Sequence, residues 1–493
     1  MDINGKESQE ASYIFTIRPP FYRTWWAFLC YFILAGSFVL TVVKWRNYLF
    51  EKEKHKLERI IADRTEELVK QKERAEQLIS NILPKQTADE LKTAGRSTRK
   101  KYKMVTVLFS DIQGFGNISE QMNPELLLDE LDKYFRRFDE VVERLNIEKV
   151  KTVGDTYMCA GGIPTKNRTN PIDVVMAALE MREHMDQIRR KSQNDWNIRI
   201  GIHSGPVIAG VVGIKKISYD IWGDTVNIAS RMEASGKTGE ICISEVTREL
   251  VHPFFECEPY RKIPVKYKGD IGMYFVKGLK RRYAADEKGV VPNKNFITKL
   301  QMIRFDDLEE LIMTKLDKGL PKNLYYHNMK HTIDVITQVE LIGRKEGISD
   351  EEMLLLKTGA LFHDAGFLSG YDEHELLGIK LACEILPDFY YSEDQIKTVS
   401  ELIYVTKMPP DPKNLLEQII CDADLDYLGR TDFLPVSQNL FRELYEHGKI
   451  KSIEEWNKLQ VKFITGHVYY TETARELREV NKKKQLEKIR SMI

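Results

Sequence analysis

Residues 104–115 read MVTVLFSDIQGF, and residues 149–164 read KVKTVGDTYMCAGGIP. The first is a run of apolar and β-branched residues that ends on Asp111 and reaches glycine at Gly114. This predicts a buried strand followed by a turn. The second predicts a β-hairpin whose turn carries Gly154-Asp155. Working outward, helical patterns follow at about Pro124 to Leu145 and at 171–190, with the strand WNIRIGIHSGPVIAGVVG after them and then SYDIWGDTVNIASRM. Strands and helices that alternate in this way predict an α+β sandwich with a ferredoxin-like core. Either aspartate alone would read as a turn or cap residue. Together they suggest a divalent-metal pair, because carboxylates suit Mg²⁺ or Mn²⁺ and two such ions can clamp the attacking and leaving oxygens of a phosphoryl displacement.

FSDIQGF, KTVGDTYM, IRIGIHSG and YDIWGDTVNIASRM occur in this order, and over residues 100–283 the chain resembles the class III nucleotidyl cyclases. The resemblance implies that Asp111 and Asp155 bind two Mg²⁺ or Mn²⁺ ions, with the Ile112 backbone carbonyl as a further ligand. It implies that Arg199 and Lys266 contact the phosphates, Lys268 being the nearest competitor to Lys266. Asn227 would orient the ribose, and Arg231 would stabilise charge at the α-phosphate. Adenine-specific members resemble this chain in placing Lys and Asp at the positions of Lys151 and Asp220, where guanine-specific members have Glu and Cys. The chemistry agrees: adenine offers N1 as acceptor and its 6-amino group as donor, which a lysine and an aspartate complement. A mismatched polar pair costs enough to set specificity. The expectation is conversion of ATP to 3′,5′-cyclic AMP and pyrophosphate in a homodimer, with a guanylate or unselective cyclase as the rival. A catalytically silent nucleotide-binding receptor is a further rival, one that the intact Asp111, Asp155, Asn227 and Arg231 argue against.

Upstream, Trp25 to Val43 is a 19-residue stretch without a charge, long enough to cross a membrane as a helix, with Trp25, Trp26 and Trp45 at its ends. Lys44, Arg46, Lys52, Lys54, Lys56 and Arg59 follow it. The positive-inside rule therefore places the catalytic domains in the cytoplasm of a single-pass protein of the inner or plasma membrane. Residues 1–24 form a short extracytoplasmic segment, in which SYIFTIRPPFYRTWW resembles the last strand of three-tyrosine sensor modules. Within the stalk 44–99, Leu57, Ile61, Arg64, Leu68, Gln71, Ala75, Leu78 and Ile82 alternate in steps of four and three. Such a seam predicts a parallel coiled-coil dimer, which Pro84 ends.

Residues 284–295 read as a linker, and beyond it apolar stripes at helical spacing predict an all-α domain over 296–480 with a charged helical tail at 481–493. YHNMKH, ALFHDAGF, DEHE and IICDADLDYLG bunch histidines and acids as mixed N/O ligands for a metal. His327 and His331, four apart, are expected on one helix face. This ordered set resembles the HD-domain metal-dependent phosphohydrolases, which implies His331, His363, Asp364 and Asp424 as ligands, with Asp422 competing for the last place. His327 matches a proton donor to the leaving oxygen. Where two-metal members carry a further histidine, this chain has Thr406 and Lys407, so one divalent ion is expected, or two if His374 joins.

The expected fold is therefore multidomain: a transmembrane helix and coiled coil, an α+β ferredoxin-like cyclase domain, and an all-α HD domain. Of the 493 residues, 74 are basic and 74 acidic. The neutrality conceals a basic stalk, suited to an anionic leaflet, and an acidic C-terminal half. It argues against a nucleic-acid partner. Six cysteines without a CxxC pair argue against a disulfide scaffold or zinc ribbon.

Overall fold

The computed structural model describes residue 13 and residues 20–80, 83–94, 98–115, 123–191, 196–213, 217–265 and 268–493. Two compact units result, Met1–Leu83 and Pro84–Ile493. In the first, helix α1 (Trp25–Ser80) runs unbroken for 56 residues. Its apolar part reaches a mean hydropathy of 2.2 over 18 residues, and it is the one described helix long and apolar enough to span a membrane. Leu57, Ile61, Leu68 and Leu78 are exposed along the single chain. Ile82 and most of segment 1–24 lie outside the described residues.

The second unit opens with α2 (Lys85–Ala94) and a mixed sheet. Its strands are β1 (Lys100–Gln113), β2 (Glu148–Val153), β3 (Thr156–Gly161), β4 (Asn197–Val212), β5 (Ser218–Trp222), β6 (Ile241–Ser244), β7 (Phe255–Val265) and β8 (Gly269–Leu279). The order is β2-β3-β1-β4-β6-β8-β7, with β5 paired to β4. Only β4–β6 is parallel among the described pairs. Helices α3 (Pro124–Arg144), α4 (Asn170–Lys191), α5 (Asp224–Ala234) and α6 (Glu245–Val251) complete the domain. α3 starts where Asn123 accepts a hydrogen bond from Glu125 N and proline occupies the first turn. Its stripe Leu127, Leu131, Tyr134, Phe138 and Val142 buries against Leu108, Ile200 and Ile202 of the sheet. Each fully buried side chain of this size contributes about 1.5–3 kcal/mol.

The C-terminal region is helical throughout: α7 (Lys294–Gly319), α8 (Met329–Glu346), α9 (Asp350–Phe362), α10 (His374–Ile385), α11 (Glu393–Tyr404), α12 (Leu415–Asp424), α13 (Phe433–Glu446), α14 (Ile453–Gly466) and α15 (Glu472–Arg490). Two features add to the sequence expectation. Residues 284–293 of the linker form an ordered loop, because Asp286 Oδ1 accepts from Val290 N and Val291 N and Ala284 bridges to Pro292, and the linker's last two residues already belong to α7. Helix α7 then serves two cores: Phe296 and Leu300 pack with the sheet domain, while Phe305, Leu308, Ile312 and Leu316 pack with the helical one. Arg304 sits at the changeover. Its guanidinium pairs with Asp173 at 2.9 Å, donates to Thr169 Oγ1 at 3.1 Å and lies 3.8 Å over the Tyr390 ring. The second concerns the charged tail, which is helical to Arg490 and has its Ile489 buried with Leu425, Leu428, Phe433 and Ile464.

Candidate functional sites

Two clusters carry chemistry. On the sheet, register places Asp111 opposite Thr156 of β3 and Arg199 of β4. Asp155 stands on the β2–β3 turn, where Gly154 at φ +63° supplies the left-handed residue the tight turn requires. Asp111 Oδ2 accepts from Gln113 Nε2 at 2.7 Å and lies 3.5 Å from Arg199 Nη2, while Oδ1 accepts from Thr156 Oγ1 at 3.3 Å. Burial, then the carboxylates of Asp155 and Glu233, push the Asp111 carboxyl up to about 6 against the pull of Arg199. Clustered carboxylates that lack full cationic compensation are the donor set a hard divalent ion fits. Ile112, 2% exposed, follows on the strand.

Lys151 of β2 and Asp220 of β5, 69 residues apart, meet at 2.7 Å. Asn227 and Arg231 lie one turn apart on the exposed side of α5, and Ile228 and Met232 face inward toward Met273 and Phe275. Arg231 Nη1 donates to Pro264 O at 3.2 Å. Among the described residues no hydrogen bond or ion pair joins Asn227 or Arg231 to Asp111 or Asp155. Lys266 lies outside the described residues, and Lys268 pairs with Asp224 at 3.3 Å.

In the helical region, nitrogen and oxygen atoms of His331, His363 and Asp424 converge within 4.8 Å of one another. His331 Nε2 is 3.0 Å from Asp424 Oδ1 and 3.3 Å from His363 Nε2. His363 donates Nδ1–H to Ala360 O at 2.8 Å, which leaves its Nε2 lone pair aimed into the cluster. Asp364 Oδ2 lies 3.2 Å from His363 Nε2 and 3.5 Å from His331 Nε2, yet it is a buried oxygen that accepts no hydrogen bond. A buried carboxylate oxygen left in this state is costly unless a cation completes it. The residues therefore fit a divalent metal. Asp364 Oδ1 turns the other way, 3.5 Å from His374 Nε2, which also lies 3.6 Å from Glu375 Oε1.

Asp422 belongs elsewhere. Its oxygens accept from Tyr470 N, Thr471 N and Thr471 Oγ1, tying α12 to the start of α15. The shared helix face expected for His327 and His331 is corrected: Asn328 accepts from Lys330 N and His331 N, so the helix begins at Met329 and His327 precedes it. The rings sit 6.0 Å apart and nearly perpendicular.

Three contributors carried no motif. Glu443 of α13, wholly buried, accepts from His327 Nδ1 and from Tyr326 N and His327 N. Burial lowers the His327 pKa, but Asp364 and Glu443 outweigh it and hold the imidazole above its ordinary value. Gln460 stands in the wall of a cavity of about 380 Å³ that opens onto His327, Asp364, His374 and Asp424. Trp456 Nε1 donates to Ser437 Oγ, and Ser437 Oγ donates to Gln460 Oε1 at 2.5 Å. Thr406 lines this cavity and donates to Ile403 O, while Lys407 lies 5.9 Å from the Tyr404 ring. Glu233 is the third, bonded to Arg199 Nε at 2.6 Å.

Comparison with known proteins finds a match in each of the two regions. The family model of the adenylate and guanylate cyclase catalytic domain matches residues 97–278, and that of the HD domain matches residues 328–426. Human atrial natriuretic peptide receptor 2 is 33% identical over 242 residues, which is 48% of this chain and 23% of the receptor. An adenylate cyclase of Mycobacterium bovis is 36% identical over 215 residues, 43% of this chain and 48% of that one. The chain thus spans about a quarter of the length of the receptors it matches. Among solved structures, the guanylate cyclase domain of RhGC from Catenaria anguillulae in complex with GTP is 36% identical, covering 37% of this chain and all of that one at a TM-score of 0.35. Residues 97–278 thus match the adenylate and guanylate cyclase catalytic domain and residues 328–426 match the HD domain.

Proposed function

We propose that the protein is a membrane-anchored adenylate cyclase that acts as a homodimer. The observation that carries the nucleotide preference is the Lys151–Asp220 pair, a donor and an acceptor held together at 2.7 Å. Opened by the base, Lys151 donates to adenine N1 and Asp220 accepts from the 6-amino group. Asn227 orients the ribose, Arg231 stabilises charge growing on the α-phosphate, and Arg199 receives the outer phosphates with Lys266. The 3′-oxygen loses its proton and bonds the α-phosphorus as the bond to pyrophosphate breaks. Asp111, Asp155 and the Ile112 carbonyl would hold two Mg²⁺ or Mn²⁺ ions, which when bound acidify the hydroxyl and offset phosphate charge.

Among the described residues Asn227 and Arg231 share no hydrogen bond or ion pair with Asp111 or Asp155, which supports a site completed by a second copy. One chain gives the aspartates, its partner gives α5, and the seam of α1 holds the pair together. Full-length protein in detergent, given ATP or GTP with Mn²⁺, tests this reading, with Asp155→Asn as the inactive control. Lys151→Glu combined with Asp220→Cys should turn preference toward GTP; an unaltered preference sinks the base-recognition argument.

For the HD domain we propose a metal-dependent phosphohydrolase acting on a nucleotide phosphoester. His331, His363, Asp364 and Asp424 would hold one divalent ion, with His374 placed for a second. His327, oriented by Glu443, donates a proton to the leaving oxygen. The apolar cavity with one fixed amide suits a flat base. Following cyclic AMP and AMP together over time, with His331→Ala for comparison, tests the assignment. If His331→Ala leaves AMP formation unchanged, the assignment fails.

A further inference from the structure

Helix α5 has two chemical faces. Asn227 and Arg231 occupy the exposed one, and Glu233, 8% exposed, occupies the other. The buried face reaches β4 closely, because a Cβ on Gly201 would stand 1.9 Å from Glu233 N. Glu233 Oε1 accepts from Arg199 Nε at 2.6 Å, which leaves Arg199 Nη2 at 3.5 Å from Asp111 Oδ2.

An arginine between two carboxylates can close a forked, two-bond pairing with either of them. Here Glu233 takes the Nε edge and holds the guanidinium short of such closure on Asp111. We infer that Glu233 is a positioning residue: it keeps Arg199 from collapsing onto Asp111, so that the carboxylate stays available to cations and the free guanidinium edge to phosphate. The inference rests on the cyclase reading above for the roles of Arg199 and Asp111. Without Glu233, Arg199 pairs with Asp111, and nucleotide must break that pair to bind. The Glu233→Gln variant retains an oxygen for Nε; Glu233→Ala does not.

The test uses full-length chains in detergent. In homodimers, binding of an unreactive α,β-methylene triphosphate is measured by calorimetry. Glu233→Ala should weaken it about tenfold and Glu233→Gln by less than about threefold, the size expected for one charge-assisted contact. Equal effects of the two variants would overturn the inference. A second arm co-purifies two differently tagged chains, one Asp155→Asn and one Asn227→Ala, leaving one intact site whose aspartates come from the Asn227→Ala chain. Glu233→Ala placed in that chain should raise KM about tenfold, and placed in the other chain should raise it at least fivefold less. A role confined to packing α5 gives the reverse asymmetry, since the other chain supplies Asn227 and Arg231, and that result also overturns the inference. If the unsubstituted mixed pair is inactive, the two-chain site is what fails, and the homodimer binding arm alone decides on Glu233.

Discussion

Replacing Arg304 with leucine tests the join between the sheet domain and the helical domain, and its cost can be worked out. Asp173, at the start of α4, is 1% exposed and receives Arg304 at 2.9 Å and Thr169 Oγ1 at 2.7 Å. Burial pushes its carboxyl up to about 6 even though Arg304 and Thr169 pull it down. A raised carboxyl binds protons in the folded state that the unfolded chain releases. Its contribution to stability is therefore complete below the ordinary value near 4 and is lost as pH rises toward 6. Without Arg304 that loss continues past pH 6, at roughly 1.4 kcal/mol per pH unit. At pH 8 the added electrostatic cost is thus about 3 kcal/mol, and at pH 5.5 it is close to nothing. Loss of the stacking on Tyr390 adds about 1 kcal/mol at any pH.

The assay is urea unfolding of detergent-solubilised full-length protein at pH 5.5 and 8.0, followed by tryptophan fluorescence. Arg304→Leu should cost about 4 kcal/mol at pH 8.0 and about 1 kcal/mol at pH 5.5. Adding Asp173→Asn, which cannot titrate, should flatten the difference. A cost independent of pH, or a pH slope that survives in the double variant, would refute the reasoning.

Three further outcomes follow from the geometry. Asp424→Ala should lower bound Mn²⁺ by about one ion per chain in elemental analysis, whereas Asp422→Ala should leave metal content alone and cost about 1–3 kcal/mol in urea, because Asp422 accepts three structural hydrogen bonds. Gly201→Ala should dislodge α5 and cost more than about 3 kcal/mol in unfolding experiments, since its Cβ would meet backbone atoms of Glu233 at 1.9 and 2.4 Å. His203 is held down to about 4 by burial and by Lys268, so between pH 6.5 and 4 the unfolded chain takes a proton that the native state refuses. Stability should fall by about 3 kcal/mol across that window, and His203→Gln should remove that part of the slope.

The motifs of β1, the β2–β3 turn and α5 were legible because their chemistry is local: an aspartate at a strand end, a glycine-backed turn, two side chains one helical turn apart. Helix positions in the C-terminal half were legible from period alone. What escaped were partners fixed by packing between distant elements. Glu443 lies 116 residues from His327 and looks like any acid on an amphipathic helix. Glu233 reads as one more acid beside the Asn227–Arg231 pair until Gly201 is seen to seat α5 against the strand that carries Arg199. Arg304 reads as an exposed helical arginine, but the changeover of α7 from one core to the other leaves no solvent there, and a buried guanidinium then needs the carboxylate that Asp173 supplies. For His327 and Arg199 the residue proposed to touch substrate belongs to a motif, and the one that aims it sits on an element whose own sequence has no reason to advertise it. Such partners are specified jointly, by a small residue that permits close approach and a charge that finds no water. Glycines facing helices, and buried acids opposite histidines and arginines of the proposed sites, are therefore where further positioning residues of this chain are to be sought.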